Sequence, residues 1–198
     1  MFCVNCGTKI ENHFNFCPNC GINIATGMQS PKKNEGFEIV AGKLIKYTGS
    51  DVNVVIPKEV IEIGGGALRE LKLLKSVVIA DSVTKIGYSA FSECKSLENI
   101  KIPDSVTEIE SDAFEGCENL KEITIGNGVS VIGHGAFSGC NSLEDIKIPD
   151  SILKINVMSF RDSLMYFKHL ERGICPVCKR KLSSFLGMYK CRHCDLKF

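Results

Sequence analysis

A mainly β solenoid is the fold this sequence predicts. A pattern returns every 23 residues between positions 54 and 149, its returning residues are apolar at fixed offsets, and the array stands between two clusters of four cysteines. Ile56, Ile79, Ile102, Ile125 and Ile148 fall in register, as do Val60, Val83, Val106, Val129 and Ile152. The same holds for Ile63, Ile86, Ile109, Ile132 and Ile155, and for Leu68, Phe91, Phe114, Phe137 and Phe160. A unit of this length cannot bury its own apolar face and must stack on its neighbours, so about five such repeats imply one continuous, stacked core.

Residues 1–21 hold the first cluster, Cys3-x2-Cys6-x10-Cys17-x2-Cys20. Two tight Cys-x-x-Cys pairs joined by a short connection are what a tetrahedral metal ion wants. Residues 22–36 are polar and punctuated by glycine, without apolar periodicity, and read as a flexible linker. Residues 37–56 alternate in the manner of strands around Ala41-Gly42 and Thr48-Gly49, which predicts a β-hairpin capping the open edge of the stack.

Within a repeat, the run 96–103 alternates as a strand with Ile100 and Ile102 inward and is ended by Pro103. Steps of 23 then give two outward columns: Asn53, Ser76, Asn99, Glu122 and Asp145, and Val55, Val78, Lys101, Thr124 and Lys147. With strands roughly 4.8 Å apart, each column spans about 20 Å. These columns hold no Trp, Tyr or Arg, so any contact made by this face should be weak or polar. Cys94, Cys117 and Cys140 recur at the period beside the phenylalanines. They read as small buried apolar side chains, the competing reading being a redox or metal ladder.

Toward the C-terminus the pattern decays: Asn156, Ser159 and Ser163 replace residues of the repeat. Phe160, Leu164, Phe167 and Leu170 fall at helical spacing before Gly173, and predict a short capping helix over 157–172, closing a solenoid domain of 37–172. Residues 173–198 hold the second cluster, Cys175-x2-Cys178-x12-Cys191-x2-Cys194.

The segment 102–123, Ile-Pro-Asp-Ser-Val-Thr-Glu-Ile-Glu-Ser-Asp-Ala-Phe-Glu-Gly-Cys-Glu-Asn-Leu-Lys-Glu-Ile, resembles the bacterial leucine-rich repeat of the BspA type, and the likeness runs from about Phe37 to Phe160. Gly42 to Gly49 resembles the hairpin that often precedes such arrays. The resemblance implies a curved β-rich solenoid used for protein or surface recognition. The first repeat departs from the pattern, with Gly64-Gly65-Gly66 and with Leu71 at the cysteine position.

Both cysteine clusters resemble small zinc ribbons, with Cys3, Cys6, Cys17 and Cys20 as one ligand set and Cys175, Cys178, Cys191 and Cys194 as the other. Two structural Zn²⁺ ions are therefore expected. Four thiolates close the coordination sphere, leaving no position for an activated water. The competing readings are thiol–disulfide exchange, which would want a βαβ scaffold around one pair, and iron in a Cys₄ site. His13 and His193 lie inside clusters that already have four thiols and read as polar surface residues. Nothing in the chain has the pattern of a catalytic triad, a P-loop or a constrained carboxylate pair, and a non-enzymatic protein is expected.

The N-terminus has neither a basic start nor an apolar run, and nowhere do 18 apolar residues follow one another, so neither export nor a membrane span is expected. Eight of 11 cysteines in Cys-x-x-Cys pairs favour a reducing, cytoplasmic setting. Residues 77–149 carry 5 Lys against 12 Asp and Glu, a net of −7; residues 168–198 carry 8 Lys and Arg against 2 acids, a net of +6. Two loaded zinc sites would move the chain from +1 to about −3. The leading expectation is an intracellular protein-interaction module with an unknown protein partner, the repeats presenting a surface and the ribbons acting as docking heads. The alternative is nucleic-acid association through the basic C-terminal ribbon, with Lys179, Arg180, Lys181, Lys190 and Arg192 around the cysteines and Tyr189 to stack on a base.

Overall fold

The computed structural model describes residues 36–144, 146–163, 175, 183–185 and 188–190. The repeats form a solenoid in which each coil of 23 residues carries two short strands rather than one. Strands β3 (Asn53–Val55), β5 (Ser76–Val78), β7 (Asn99–Ile102) and β9 (Glu122–Ile125) make one parallel sheet. Strands β4 (Glu62–Ile63), β6 (Lys85–Ile86), β8 (Glu108–Ile109), β10 (Val131–Ile132) and β11 (Lys154–Ile155) make a second. Pairing steps by one repeat throughout, as in Ile100 opposite Ile123 and Ile86 opposite Ile109. The first sheet lies where the Ile-x-Ile run predicts a strand. The second is a finding of the structure, because a two-residue strand is too short to show a period.

Each coil turns its corners by local backbone hydrogen bonds that recur with the sequence. The N–H of Val60, Val83 and Val106 bonds the carbonyl of Pro57, Ala80 and Pro103, three residues back, and Leu74, Leu97, Leu120 and Leu143 do the same to Leu71, Cys94, Cys117 and Cys140. The third side has no strand, yet it still binds coil to coil: the N–H of Phe91 donates to Ala113 O at 2.8 Å and that of Phe114 to Ala136 O at 2.8 Å. All three sides of the solenoid thus carry backbone hydrogen bonds from one coil to the next, as burial of the backbone favours.

The interior is filled by stacked columns of identical or similar side chains. Phe91, Phe114, Phe137 and Phe160 are buried and stack nearly parallel, with ring centroids 5.1, 5.4 and 5.5 Å apart. Alanine at 67, 90, 113 and 136 leaves the room these rings occupy. Ser159 continues the alanine column, its hydroxyl donating to Gly133 O at 2.6 Å, so the buried oxygen is not stranded.

The N-terminal hairpin is β1 (Phe37–Val40) and β2 (Lys43–Tyr47), turned at Ala41 and Gly42 with φ of 49° and 78°. Two positive φ values are what a tight hairpin turn demands. Strand β2 pairs in parallel with β4, so the hairpin covers the edge of the second sheet only. Tyr47 plugs the end of the core. Its N–H bonds Ala67 O, its ring lies 4.6 Å from Phe37, and its hydroxyl bonds the Asp51 carboxylate. Burial, then Asp51, pushes its ionisation upward.

The expected capping helix is corrected within the described residues. Val157–Phe160 is one turn of 3₁₀ helix, its N-cap Asn156 accepting from the Met158 N–H at 2.9 Å. Asp162 then has φ of 59° and ends it. Gly139, Gly116, Glu93 and Glu70 hold the same left-handed conformation one, two, three and four coils earlier. The chain here continues the solenoid coil, whose interlocking bonds to the coil before outweigh the local helical spacing of Phe160 and Leu164. Residues 164–172 of the predicted helix lie outside the described residues, as do residues 22–35 of the linker and the first cysteine cluster. A separate antiparallel hairpin, β12 (Ser183–Phe185) and β13 (Met188–Lys190), lies within the last segment.

Candidate binding surface and metal centres

The solenoid presents two sheet faces of different chemistry. On the first, Asn99, Lys101, Glu122, Thr124 and Lys147 are exposed, and Ser76 donates to Asn53 Oδ1 at 2.6 Å. Val78, expected in an outward column, is buried at 7% exposure, so that column is interrupted in its second coil. Asp145 lies outside the described residues.

The second face carries the column Lys43, Glu62, Lys85, Glu108, Val131 and Lys154, one residue from each paired strand. Its charges alternate, and the ammonium of Lys43 meets Glu62 at 2.6 Å while that of Lys85 meets Glu108 at 3.2 Å and Glu110 at 2.6 Å. The hydrogen bond to Glu110 is the main cause that raises the Lys85 ionisation, and the same bond holds the Glu110 carboxyl below its ordinary range. Glu110 also accepts from the Tyr88 backbone N–H at 2.7 Å. Such cross-strand pairs each contribute a few tenths of a kcal/mol up to about 1.

Val131 breaks the alternation, and there the face opens into a groove of about 500 Å³. Its lining joins an apolar floor at Val131 to the carboxylates of Glu108 and Glu110, His134, Lys154 and Tyr88. Tyr88 is 56% exposed, and Lys154 is exposed with no ion pair among the described residues. His134 Nδ1 stands 4.0 Å from Asp112. An exposed aromatic beside charged groups of both signs is recognition chemistry of the kind the first face lacks. Sequence patterning alone does not single these residues out, although the Lys/Glu alternation at positions 62, 85 and 108 is a signal for this face.

Cys94, Cys117 and Cys140 form a buried ladder. Each thiol donates to a carbonyl of the preceding coil, to Leu68, Phe91 and Phe114 at 3.0, 3.2 and 3.3 Å. Burial pushes the Cys94 and Cys140 thiols up to about 12 and raises that of Cys117 well above its ordinary value. Thiols held neutral and enclosed are neither nucleophiles nor metal ligands. Their work is packing and a weak hydrogen bond.

Cys3, Cys6, Cys17, Cys20, Cys178, Cys191 and Cys194 lie outside the described residues, and Cys175 is a buried thiol. No helix among the described residues is long and apolar enough to cross a membrane.

Residues 43–166 match the BspA type leucine rich repeat region in six copies. The chain belongs to the BspA-type leucine-rich repeat family. Residues 2–24 match a zinc-ribbon domain, and the four thiols of that segment are a donor set suited to zinc. Among solved structures, the chain is similar to the T. pallidum leucine rich repeat protein TpLRR, at 30% identity and a TM-score of 0.64, over 70% of this chain and 69% of that one. It is also similar to the pneumococcal vaccine antigen PcpA, at 26% identity and a TM-score of 0.53, over 57% of this chain and 28% of that one. No curated protein matches. A BspA-type solenoid is a fold consistent with a protein-interaction module.

Proposed function

We propose that this BspA-type repeat protein is a non-enzymatic, cytoplasmic protein-interaction module that grips its partner on the second sheet face, with its terminal segments as docking heads. The observation that carries the reading is the groove at Val131, where Tyr88, His134, Lys154 and the Glu108–Glu110 pair converge on an apolar floor. Paired cysteines support the reducing setting. The surrounding ion pairs are exposed and largely matched, which favours a protein surface of mixed charge over a polyanion. Nucleic acid ranks second, since the repeats at −7 oppose phosphate.

The test is capture from the native cell by full-length protein, by the variant Tyr88→Ala/Lys154→Glu, and by Lys101→Glu/Lys147→Glu on the first face. A specific protein held by the wild type and by the first-face variant, but lost at least tenfold by the groove variant, is the expected result. Loss with the first-face variant alone would move the site to the other sheet. Recovery of RNA or DNA that persists at physiological salt would favour the nucleic-acid reading instead.

A further inference from the structure

Resting on the reading of the second sheet face as a protein-recognition surface, we infer that its occupant is a second copy of this chain. The two copies pair face to face, one turned over about the Val131 strand, so that Lys154 of each meets Glu108 of the other.

The column through the groove is arranged to match itself. Val131 in β10 pairs with Glu108 on one side and with Lys154 on the other, one strand away in each direction. Strands sit about 4.8 Å apart, so an acid and a base stand equally far from an apolar centre and about 10 Å from each other. Opposite charges on either side of an uncharged centre are the condition for an isologous contact. A two-fold axis lying along β10, between the two faces, sets Val131 against its own copy and exchanges the positions of Glu108 and Lys154. Two acids or two bases in those places would instead set like charges against each other.

Both charges are available to a partner. Lys154 is exposed with no ion pair among the described residues, and Glu108 shares the Lys85 ammonium with Glu110, at 3.2 Å against 2.6 Å, so two carboxylates stand against one cation. Beside Lys154, Leu153 is 88% exposed, the most of any large hydrophobic among the described residues. One exposed leucine is ordinary by itself. This one stands where Thr84, Thr107 and Ser130 stand in earlier coils, and their hydroxyls bond carbonyls of the coil before at 3.2, 3.1 and 3.1 Å. The same axis carries Leu153 of one copy onto Thr107 of the other, whose hydroxyl is already engaged. Gly133, in the groove lining, adds no side chain to hold the two sheets beyond the spacing of about 10 Å at which sheets pack. A foreign partner would have to bring an acid and a base at this separation in reversed order, whereas the chain itself supplies them. The matched area is only three coils deep, which places the dissociation constant on the order of 10–100 μM.

The experiment is analytical ultracentrifugation of full-length protein under reducing conditions across about 1–300 μM, a range that brackets this dissociation constant. Wild type should pass from monomer to dimer. Glu108→Lys and Lys154→Glu should each weaken the dimer about tenfold or more, because each sets like charges against each other across the axis. Mixed in equal amounts, the two variants should pair with each other about as tightly as wild type, since one then carries two acids and the other two bases at the facing positions. That recovery is the signature of a two-fold contact through this column. Lys147→Glu, on the first face, should leave association unchanged. Wild type that stays monomeric throughout, or a dimer that neither variant weakens, would overturn the inference. So would a mixture that fails to associate while circular dichroism shows both variants folded. A monomeric chain that still captures another protein through Tyr88 and Lys154 would overturn it too and leave the proposed function standing, whereas a dimer accompanied by capture that the groove variant does not impair would do the reverse.

Discussion

At the scale of single residues, one side chain serves several coils at once. Phe114 stacks on Phe91 and on Phe137 and is fully buried, so Phe114→Ala removes a ring from the middle of a continuous stack. The expected cost is about 3–5 kcal/mol in the free energy of unfolding, measured by urea denaturation. Glu115→Ala, at the exposed neighbour, should change stability by less than about 0.5 kcal/mol. The cysteine ladder adds a pH signature. Cys94 and Cys140 titrate near 9.0 when ordinary and near 12 when folded, so the unfolded chain loses protons first as pH rises. Their contribution to stability is complete below pH 9 and is lost from there through pH 12, at up to about 1.4 kcal/mol per pH unit for each thiol. Denaturation midpoints measured from pH 8 to 10.5 should fall, and should fall less steeply in Cys94→Ala/Cys140→Ala. Equal slopes would mean that the thiols are accessible in the folded state.

Among elements, the ends of the stack differ from its middle. Phe160 stacks on Phe137 at 5.5 Å and lies in the last described coil, where Asn156, Ser159 and Ser163 have replaced repeat residues. In a one-dimensional array each coil is held by its neighbours, so opening starts at a weak end. Phe160→Ala should expose the backbone amides of 152–163 to rapid hydrogen exchange while those of 100–125 keep their protection. Uniform loss of protection along the array would show that the coils unfold as one unit. At the other end Tyr47, Phe37 and Asp51 close the core, and Tyr47→Phe leaves the Asp51 carboxylate without its phenol, costing about 1–3 kcal/mol.

For the whole molecule, two kinds of stability coexist. The solenoid is held by burial of its columns, whereas the short cysteine-bearing ends have too little apolar surface to fold unaided. Removing metal with a chelator should therefore leave the unfolding transition of the repeats within about 1 kcal/mol of its untreated value. The same treatment should make residues 1–21 and 173–198 sensitive to protease. A repeat transition that collapses with the metal would mean that the ends are part of the solenoid core. The charge division follows the same boundary, with acidic repeats and a basic C-terminal segment.

The period of 23, the inward columns and the phenylalanine stack follow from the sequence alone, because a repeated side chain in a stacked array meets its own copy and the pattern is written directly in the spacing. The zinc-ribbon pattern of residues 2–24 is legible for a similar reason: a metal site is a local constraint on ligand type and separation. Other features are decided only in three dimensions. The second sheet consists of two-residue strands, which have no local signature and exist because the coil before and the coil after offer them partners. The helical spacing at 157–163 yields to the coil geometry for the same reason, the left-handed residue at Asp162 being imposed by the stack. Val78 is drawn inward although its equivalents face out. The groove at Val131 gathers Tyr88, Glu108, Glu110, His134 and Lys154 from four successive coils, and only stacking brings residues 88 and 154 to the same opening. Periodicity determines what is buried; the side-by-side packing of coils determines what the exposed residues jointly present.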